Sequence, residues 1–259
     1  MTAAVKFVQK SWAMVEVEAV KLRRDPTEIL SRAVQPALWM LVFGQVMQHA
    51  RAIPTGKLSY LDFMAPGILA QSVLFTSIFY GLSAIWERDL GILQKYLVSP
   101  TPREALVTGK ALSAGIRGMI QSVFVYMLSL LLGVHLNWNP IDMLGGLLAI
   151  MLGAAFFSTF SLIIACIVKS REKFMGIGQV LTMPLFFASN AIYPIAMMPG
   201  WLQVISRVNP LTYQVDLLRS TMIVGGAHTF SGGLDIAVLL GSTIVAILIA
   251  ARLYPGLAS

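Results

Sequence analysis

The sequence predicts an all-α integral membrane protein with six transmembrane helices, an N-terminal amphipathic interfacial helix, and a re-entrant helical hairpin between the fifth and sixth spans. Three observations carry this prediction. Apolar residues make up 57% of the 259 and charged residues only 12%, for a mean hydropathy of +0.76, a composition suited to lipid and not to water. The charges cluster at the flanks of long apolar runs. Lysine and arginine are shared unequally between the two sets of flanks, as the positive-inside rule describes.

Val5, Val8, Trp12, Val15, Ala19 and Leu22 recur at steps of three and four, with Lys6, Lys10, Lys21 and Arg24 on other faces. This spacing predicts an amphipathic helix over 5–24. Glu16 and Glu18 make it too polar to span, so it should lie at the interface with Trp12 as an anchor. Residues 29–47 read as the first span. Arginine at a helix centre costs about 2.5–3.5 kcal/mol, so Arg32 should reach back to the near surface.

Residues 63–86 form a second span without a charge, and they lead into a charged island, ERDLGILQKYLVSPTPRE, over 87–104. Read as one helix, the island puts Leu90, Leu93 and Leu97 on one side and Arg88, Gly91, Gln94 and Lys95 on the other, until Pro100 and Pro102 stop it. Such a helix suits a bilayer interface or a groove on a partner protein, and an ordinary polar loop fits the same residues.

The third span falls in 105–134, with Lys110 and Arg117 near its island end, and a short turn over 135–142 follows. The fourth span, 143–168, closes on the charged run KSREK. Gly145, Ala149 and Gly153 stand four apart in it, a spacing that admits a second helix closely, either within the subunit or at a dimer seam. The fifth span is 174–194. Pro194, Pro199-Gly200 and Asn209-Pro210 then break 194–221 into two short helices, with Asn209 placed as an N-cap and Pro210 at the first helical position. A hairpin dipping into the membrane from one side is expected there, and a surface loop with two interfacial helices is the alternative. The sixth span is 236–251. Of the 19 lysines and arginines, only Arg51, Lys57, Arg207 and Arg219 fall on the opposite face to the island, which assigns both termini and the island to the cytoplasm in a multi-pass chain.

Several function classes find no support. The single cysteine, Cys166, allows no intrachain disulfide and no cysteine-based metal pattern. The net charge of +7 is spread along span flanks and not gathered into a stripe, so no nucleic-acid partner is expected. The amino terminus has no short apolar core followed by a small-residue cleavage site, so no removed signal peptide is expected. The span interiors carry no ionisable residue, which argues against proton coupling. Gly109-Lys110 has Glu104 where a phosphate-binding loop needs its first glycine and Ala111 where it needs Ser or Thr.

His49, His135 and His228 have no ligand spacing, and no Gly-x-Ser-x-Gly run is present, so no metal site and no catalytic residue is assigned. Asp216, Arg219 and His228 form the one external polar cluster; they read as solvated flanks and offer weak grounds for a lipid-modifying enzyme. Energy for uphill movement must then enter through a partner, for which the island is the natural dock. Gln71, Thr76, Tyr80, Gln121, Tyr126, Gln179 and Asn190 are uncharged polar residues inside spans; they serve either interhelical hydrogen bonds or a substrate path bordered by Met and Phe.

Three stretches together resemble the type-2 ABC exporter permeases, most closely their daunorubicin-resistance branch. They are Phe63-Met64-Ala65-Pro66-Gly67-Ile68, the island leading into Gly109-Lys110, and Ala191-Ile192-Tyr193-Pro194 with Asn209-Pro210-Leu211-Thr212-Tyr213-Gln214-Val215-Asp216 and Arg219. The resemblance covers nearly the whole chain. It implies a permease subunit of the bacterial cytoplasmic membrane that pairs with a second copy of itself and with two ATPase subunits, which bind ATP and magnesium. The permease itself would hold no cofactor.

The cargo would be a drug-like, antibiotic or lipid-like amphiphile, with a lipid-linked polysaccharide as the alternative. A passive scaffold or sensor paired with an ATPase could use the same docking helix. By the same resemblance, 87–103 is the coupling helix, with Glu87, Arg88, Gly91, Lys95, Pro100 and Arg103 meeting the ATPase. Residues 194–221, with Tyr193 before them, form the external gate through Tyr193, Pro194, Asn209, Pro210 and Tyr213. Gly91-Ile92 departs slightly from the family pattern, in which Thr or Ser follows the glycine.

Overall fold

The computed structural model describes residues 7, 9–13, 15–17, 20, 27–98 and 101–257, the side chains of 27–31 and of Leu97 excepted. The described residues form helices joined by short turns, with one isolated antiparallel bridge between Leu136 and Ile223. In chain order the helices are α1 (Thr27–Leu38), a π-helical turn (Trp39–Gly44) and α2 (Gln45–Ala50), then α3 (Tyr60–Tyr80), α4 (Leu82–Asp89), α5 (Ile92–Val98), α6 (Arg103–Leu131), α7 (Pro140–Val168) and α8 (Arg171–Phe187). A 3₁₀ turn (Ile195–Met197), α9 (Gly200–Val208), α10 (Pro210–Met222), α11 (Gly232–Leu253) and a final 3₁₀ turn (Tyr254–Leu257) complete the chain.

Four helices among the described residues are long and apolar enough to cross a membrane: Tyr60–Asp89, Arg103–Leu131, Pro140–Val168 and Gly232–Leu257. The first predicted span lies within an unbroken helical run, 27–50, with the π-helical turn inside it. The fifth differs more from expectation. α8 has 17 residues, about 25 Å at 1.5 Å per residue, against the roughly 30 Å of a hydrocarbon core. It stops at Phe187 and not near Pro194, because Asn209 Nδ2 donates to Leu185 O at 2.7 Å and to Ala188 O at 3.2 Å. That side chain satisfies carbonyls which a longer helix would have used itself.

α3 is the centre of the bundle. All of its residues except Phe75 and Phe79 are buried, so it is apolar all round where the neighbouring helices bury one side. Ser59 and Asp62 close its start as a reciprocal capping box, and Asp62 also accepts the His135 backbone N–H at 2.9 Å, which draws in the loop after α6. Gly67 lies against the Ala191 backbone: a Cβ there would stand 2.3 Å from the Ala191 carbonyl oxygen. No larger residue allows that approach.

The small-residue row of α7 admits a helix of the same subunit, the first of the two uses its spacing allows. A Cβ on Gly153 would collide with Gln214, one on Gly145 would meet Thr221 at 3.0 Å, and Ala149 is fully buried. α10 occupies the row. Its start follows the sequence signal, since Asn209 Oδ1 accepts the Leu211 N–H at 3.1 Å with Pro210 in the first turn.

Of the predicted 5–24 helix, the described residues are helical, and the other residues of that stretch lie outside the description. Val15 and Ser11 are buried, and Ser11 Oγ donates to Ala105 O at 3.2 Å, while Trp12 is exposed. Ser11 thus meets the start of α6, and of the predicted stripe Val15 is buried and Trp12 is not. Arg32 is half-buried and Nη1 donates to Thr76 O at 3.2 Å, so it binds a helix carbonyl near the island end of α3.

Candidate functional site

The island folds as two short helices and not as one. Gly91 takes φ +69°, a left-handed conformation that glycine adopts without the Cβ penalty, and its N–H donates to Arg88 O at 2.9 Å. The turn separates α4 from α5 and breaks the expected apolar side. Leu93 is fully buried, whereas Leu90 is 67% exposed. Ala84, Leu93, Leu106, Val107, Tyr254 and Leu257 make a separate apolar cluster beneath the island, so the C-terminal turn supports it from below.

Two sets of charges fix the island. Glu87 is buried, and its Oε2 accepts a hydrogen bond from Lys110 Nζ at 2.7 Å. Glu87 is therefore turned inward, away from the exposed side of the island on which the sequence reading places the other expected contact residues. At the rim, Asp89 is held by Arg88 at 2.7 Å and by Arg171 at 2.6 Å. Arg88 Nη1 also donates to Lys169 O at 2.7 Å, and the Arg171 guanidinium stacks over Trp86 at 4.3 Å. These contacts join the island to the charged run after α7 in one surface. Arg88 is partly exposed, Lys95 and Arg103 are exposed, Gly91 is half-buried, and Pro100 lies outside the described residues. Exposed Leu90 and Val98 stand beside the cations, so the surface combines positive charge with apolar knobs.

The expected path residues stand in different surroundings. Gln71, Thr76, Tyr80, Gln121 and Asn190 are buried, and Gln121 Nε2 donates to Arg32 O at 3.4 Å. Tyr80 lies under two cations, Lys110 at 5.7 Å and Arg117 at 4.9 Å from its ring centroid. Gln179 is on the exposed side of α8. Tyr126 lines an apolar groove of about 270 Å³ together with Met127, Trp138, Met143 and Leu147.

The stretch that carries the expected gate residues lies at the end of the bundle away from the island, where the Tyr60 hydroxyl donates to Ile192 O at 3.1 Å. The Tyr193 hydroxyl donates to Phe187 O at 2.6 Å, Pro194 leads into the 3₁₀ turn, and the Tyr213 hydroxyl donates to Arg207 O at 2.5 Å. Asp216 and Arg219 next to them are buried, not solvated flanks as expected. Arg219 donates to Phe63 O and to Asn190 O, and its guanidinium stacks over the Phe63 ring at 3.9 Å. It ties α10 to α3 and to the turn after α8. Asp235 and Asp62, which the sequence reading passed over, are buried at this end too. The signal was available in outline: each is an acid in the first turn of a helix, three residues or four after a serine.

The sequence profile of the ABC-2 type transporter family matches residues 9–223. The chain is 31% identical over 215 residues to the transport permease ycf38 of Cyanophora paradoxa, covering 82% of this chain and 74% of that one. It is 25% identical over 229 residues to the daunorubicin resistance ABC transporter permease protein DrrB1 of Streptomyces coeruleorubidus, covering 88% and 80%. With the inner membrane transport permease YadH of Escherichia coli K12 it shares 24% identity over 191 residues, covering 70% of each. The matched span runs from the N-terminal helix through the bridge at Ile223 and so contains both the island and the stretch 193–213. The chain belongs to the ABC-2 type transporter permease family.

Proposed function

We propose that the chain is the six-span membrane subunit of an ATP-driven exporter, working as a homodimer with two copies of a separate ATPase that bind ATP and magnesium. Residues 27–50 and α8 with its following turn supply the two spans beyond the four long helices. Both termini and the island face the cytoplasm, and α9 and α10 form a re-entrant gate on the outer side. The cargo is a drug-like, antibiotic or lipid-like amphiphile, in keeping with the name of the daunorubicin resistance relative.

The observation that carries the reading is the build of the island. Its inner side is pinned by the Glu87–Lys110 pair and the Tyr254 cluster, while Arg88, Lys95, Leu90 and Val98 remain at the surface. A rigid, cationic and partly apolar projection suits a groove on a partner that pushes against it. The ATPase contacts are accordingly Arg88, Gly91, Lys95 and Arg103, with Glu87 positioning them from below.

Gentle purification of the tagged chain from its native membrane tests this. A P-loop ATPase should accompany it in equal amount, and Lys95→Glu should release that ATPase without changing the thermal unfolding of the permease. A chain that emerges alone, with ATP having no effect on transport, would overturn the reading.

A further inference from the structure

Asp216 on α10, Asp235 in the first turn of α11 and His228 on the loop between them converge at the gate end of the bundle. Both aspartates are 0% exposed, and the imidazole is 37% exposed. One ligand atom from each lies within 4.8 Å of the other two. His228 Nδ1 is 3.4 Å from Asp235 Oδ2 and 3.8 Å from Asp216 Oδ2.

The two carboxylates are satisfied unequally. Asp216 accepts the Thr229 N–H at 2.8 Å and the Phe230 N–H at 2.9 Å. Neither oxygen of Asp235 receives a hydrogen bond, although both are buried. A buried carboxylate without donors needs a positive group in front of it. Arg219, one turn from Asp216, spends its donors on Phe63 O and Asn190 O instead.

We propose that Asp216, His228 and Asp235 bind a divalent transition-metal cation of the zinc class through one imidazole nitrogen and two carboxylates. Ligands about 2.0–2.2 Å from a tetrahedral centre stand about 3.3–3.6 Å apart, so the imidazole–carboxylate separations need little adjustment. The Thr229 and Phe230 amides orient Asp216, as supporting hydrogen bonds do for metal carboxylates. His228, partly exposed, gives a route from solvent, and water takes the fourth position. The imidazole favours a zinc-like ion over magnesium or calcium, which take oxygen ligands. His228 also packs closely over Gly232: a Cβ there would stand 3.2 Å from Cε1.

The cation clamps α10 and the loop after it to α11. Phe230, whose N–H holds Asp216, packs its ring against Tyr213 with centroids 5.1 Å apart. The clamp thus fixes the hairpin's second helix, independently of which cargo passes.

The full chain, purified in detergent and freed of metal with EDTA, is titrated with Co²⁺ and then Zn²⁺, followed by the visible absorption of Co²⁺ and by thermal unfolding. One Co²⁺ per chain is expected, displaced by Zn²⁺, with Zn²⁺ raising Tm and Mg²⁺ leaving it unchanged. Asp235→Asn and His228→Gln should each weaken Co²⁺ binding by at least the roughly 100-fold that loss of a supporting group can cause. The half-exposed His228 can change without unfolding the chain, so it carries the test if Asp235→Asn does not fold. Equal Co²⁺ binding by His228→Gln and the unaltered chain would overturn the proposal. So would the absence of saturable binding to the unaltered chain, in which case a Tm rise on Asp235→Asn would identify a shared proton in place of the metal.

Discussion

Lys110 Nζ stands 2.7 Å from Glu87 Oε2, with the two side chains only 5% and 4% exposed. The pair bolts the island to α6. Removing one partner takes the nearest opposite charge from a buried ion, so Glu87→Gln or Lys110→Met alone should cost about 3–5 kcal/mol. The double variant should regain most of that loss. Thermal unfolding of the four chains in detergent, treated as a double-mutant cycle, measures the coupling, and simple additivity would show that the two residues do not act as a pair.

Two glycines should respond differently to alanine. At Gly91 nothing lies within 4 Å of an added Cβ, so the cost is that of the left-handed backbone, about 1–2 kcal/mol. At Gly67 the methyl would run into the Ala191 backbone, which cannot swing aside as a side chain does. Gly67→Ala should cost about 3 kcal/mol or more and lower the yield of folded protein. Melting temperatures and elution profiles of both variants compare the two mechanisms directly.

Arg219→Lys should destabilise by about 1.5–3 kcal/mol despite keeping the charge. An ammonium cannot serve Phe63 O and Asn190 O as the guanidinium fork does, and it loses the stacking on Phe63. Unfolding midpoints of the Lys and Met variants would bring this out. If Lys matches the native residue, charge and not geometry is what the site requires.

Under the proposed function, Lys95→Glu should reduce coupled ATP hydrolysis in the assembled complex by at least tenfold while leaving the permease melting temperature where it was. Lys95 is exposed, so its reversal leaves the buried contacts beneath the island in place. Phosphate release by the reconstituted complex, measured beside unfolding of the chain alone, separates docking from folding.

How much was legible in the sequence depended on the range of each interaction. The Asn209-Pro210 helix start is a local signal, and it holds in the structure: Asn209 Oδ1 caps Leu211. The same side chain's bonds to Leu185 and Ala188, which shorten α8, cross more than 20 residues and leave no pattern in the chain. The island stood out by charge density, yet Glu87 and Arg88, adjacent in sequence, face opposite ways because Glu87 has Lys110 to meet 23 residues on. Asp216 read as a solvated acid since nothing near it announces that Thr229 and Phe230 fold back to donate their amides. Pro100 falls outside the described residues.

The helix pair Tyr60–Asp89 carries, within 30 residues, the Arg219 and Ala191 contacts at one end and the Asp89 and Lys110 contacts at the other. It breaks once, at Gly81, where Ser161 Oγ donates to Ile78 O and its atoms fill the space a Cβ would take. This makes it a rod about 45 Å long with one break, which is seated on α7. Under the proposed function, a push at Arg88 would act on the same rod that Gly67 seats against Ala191, with Ser161 packed at its one break.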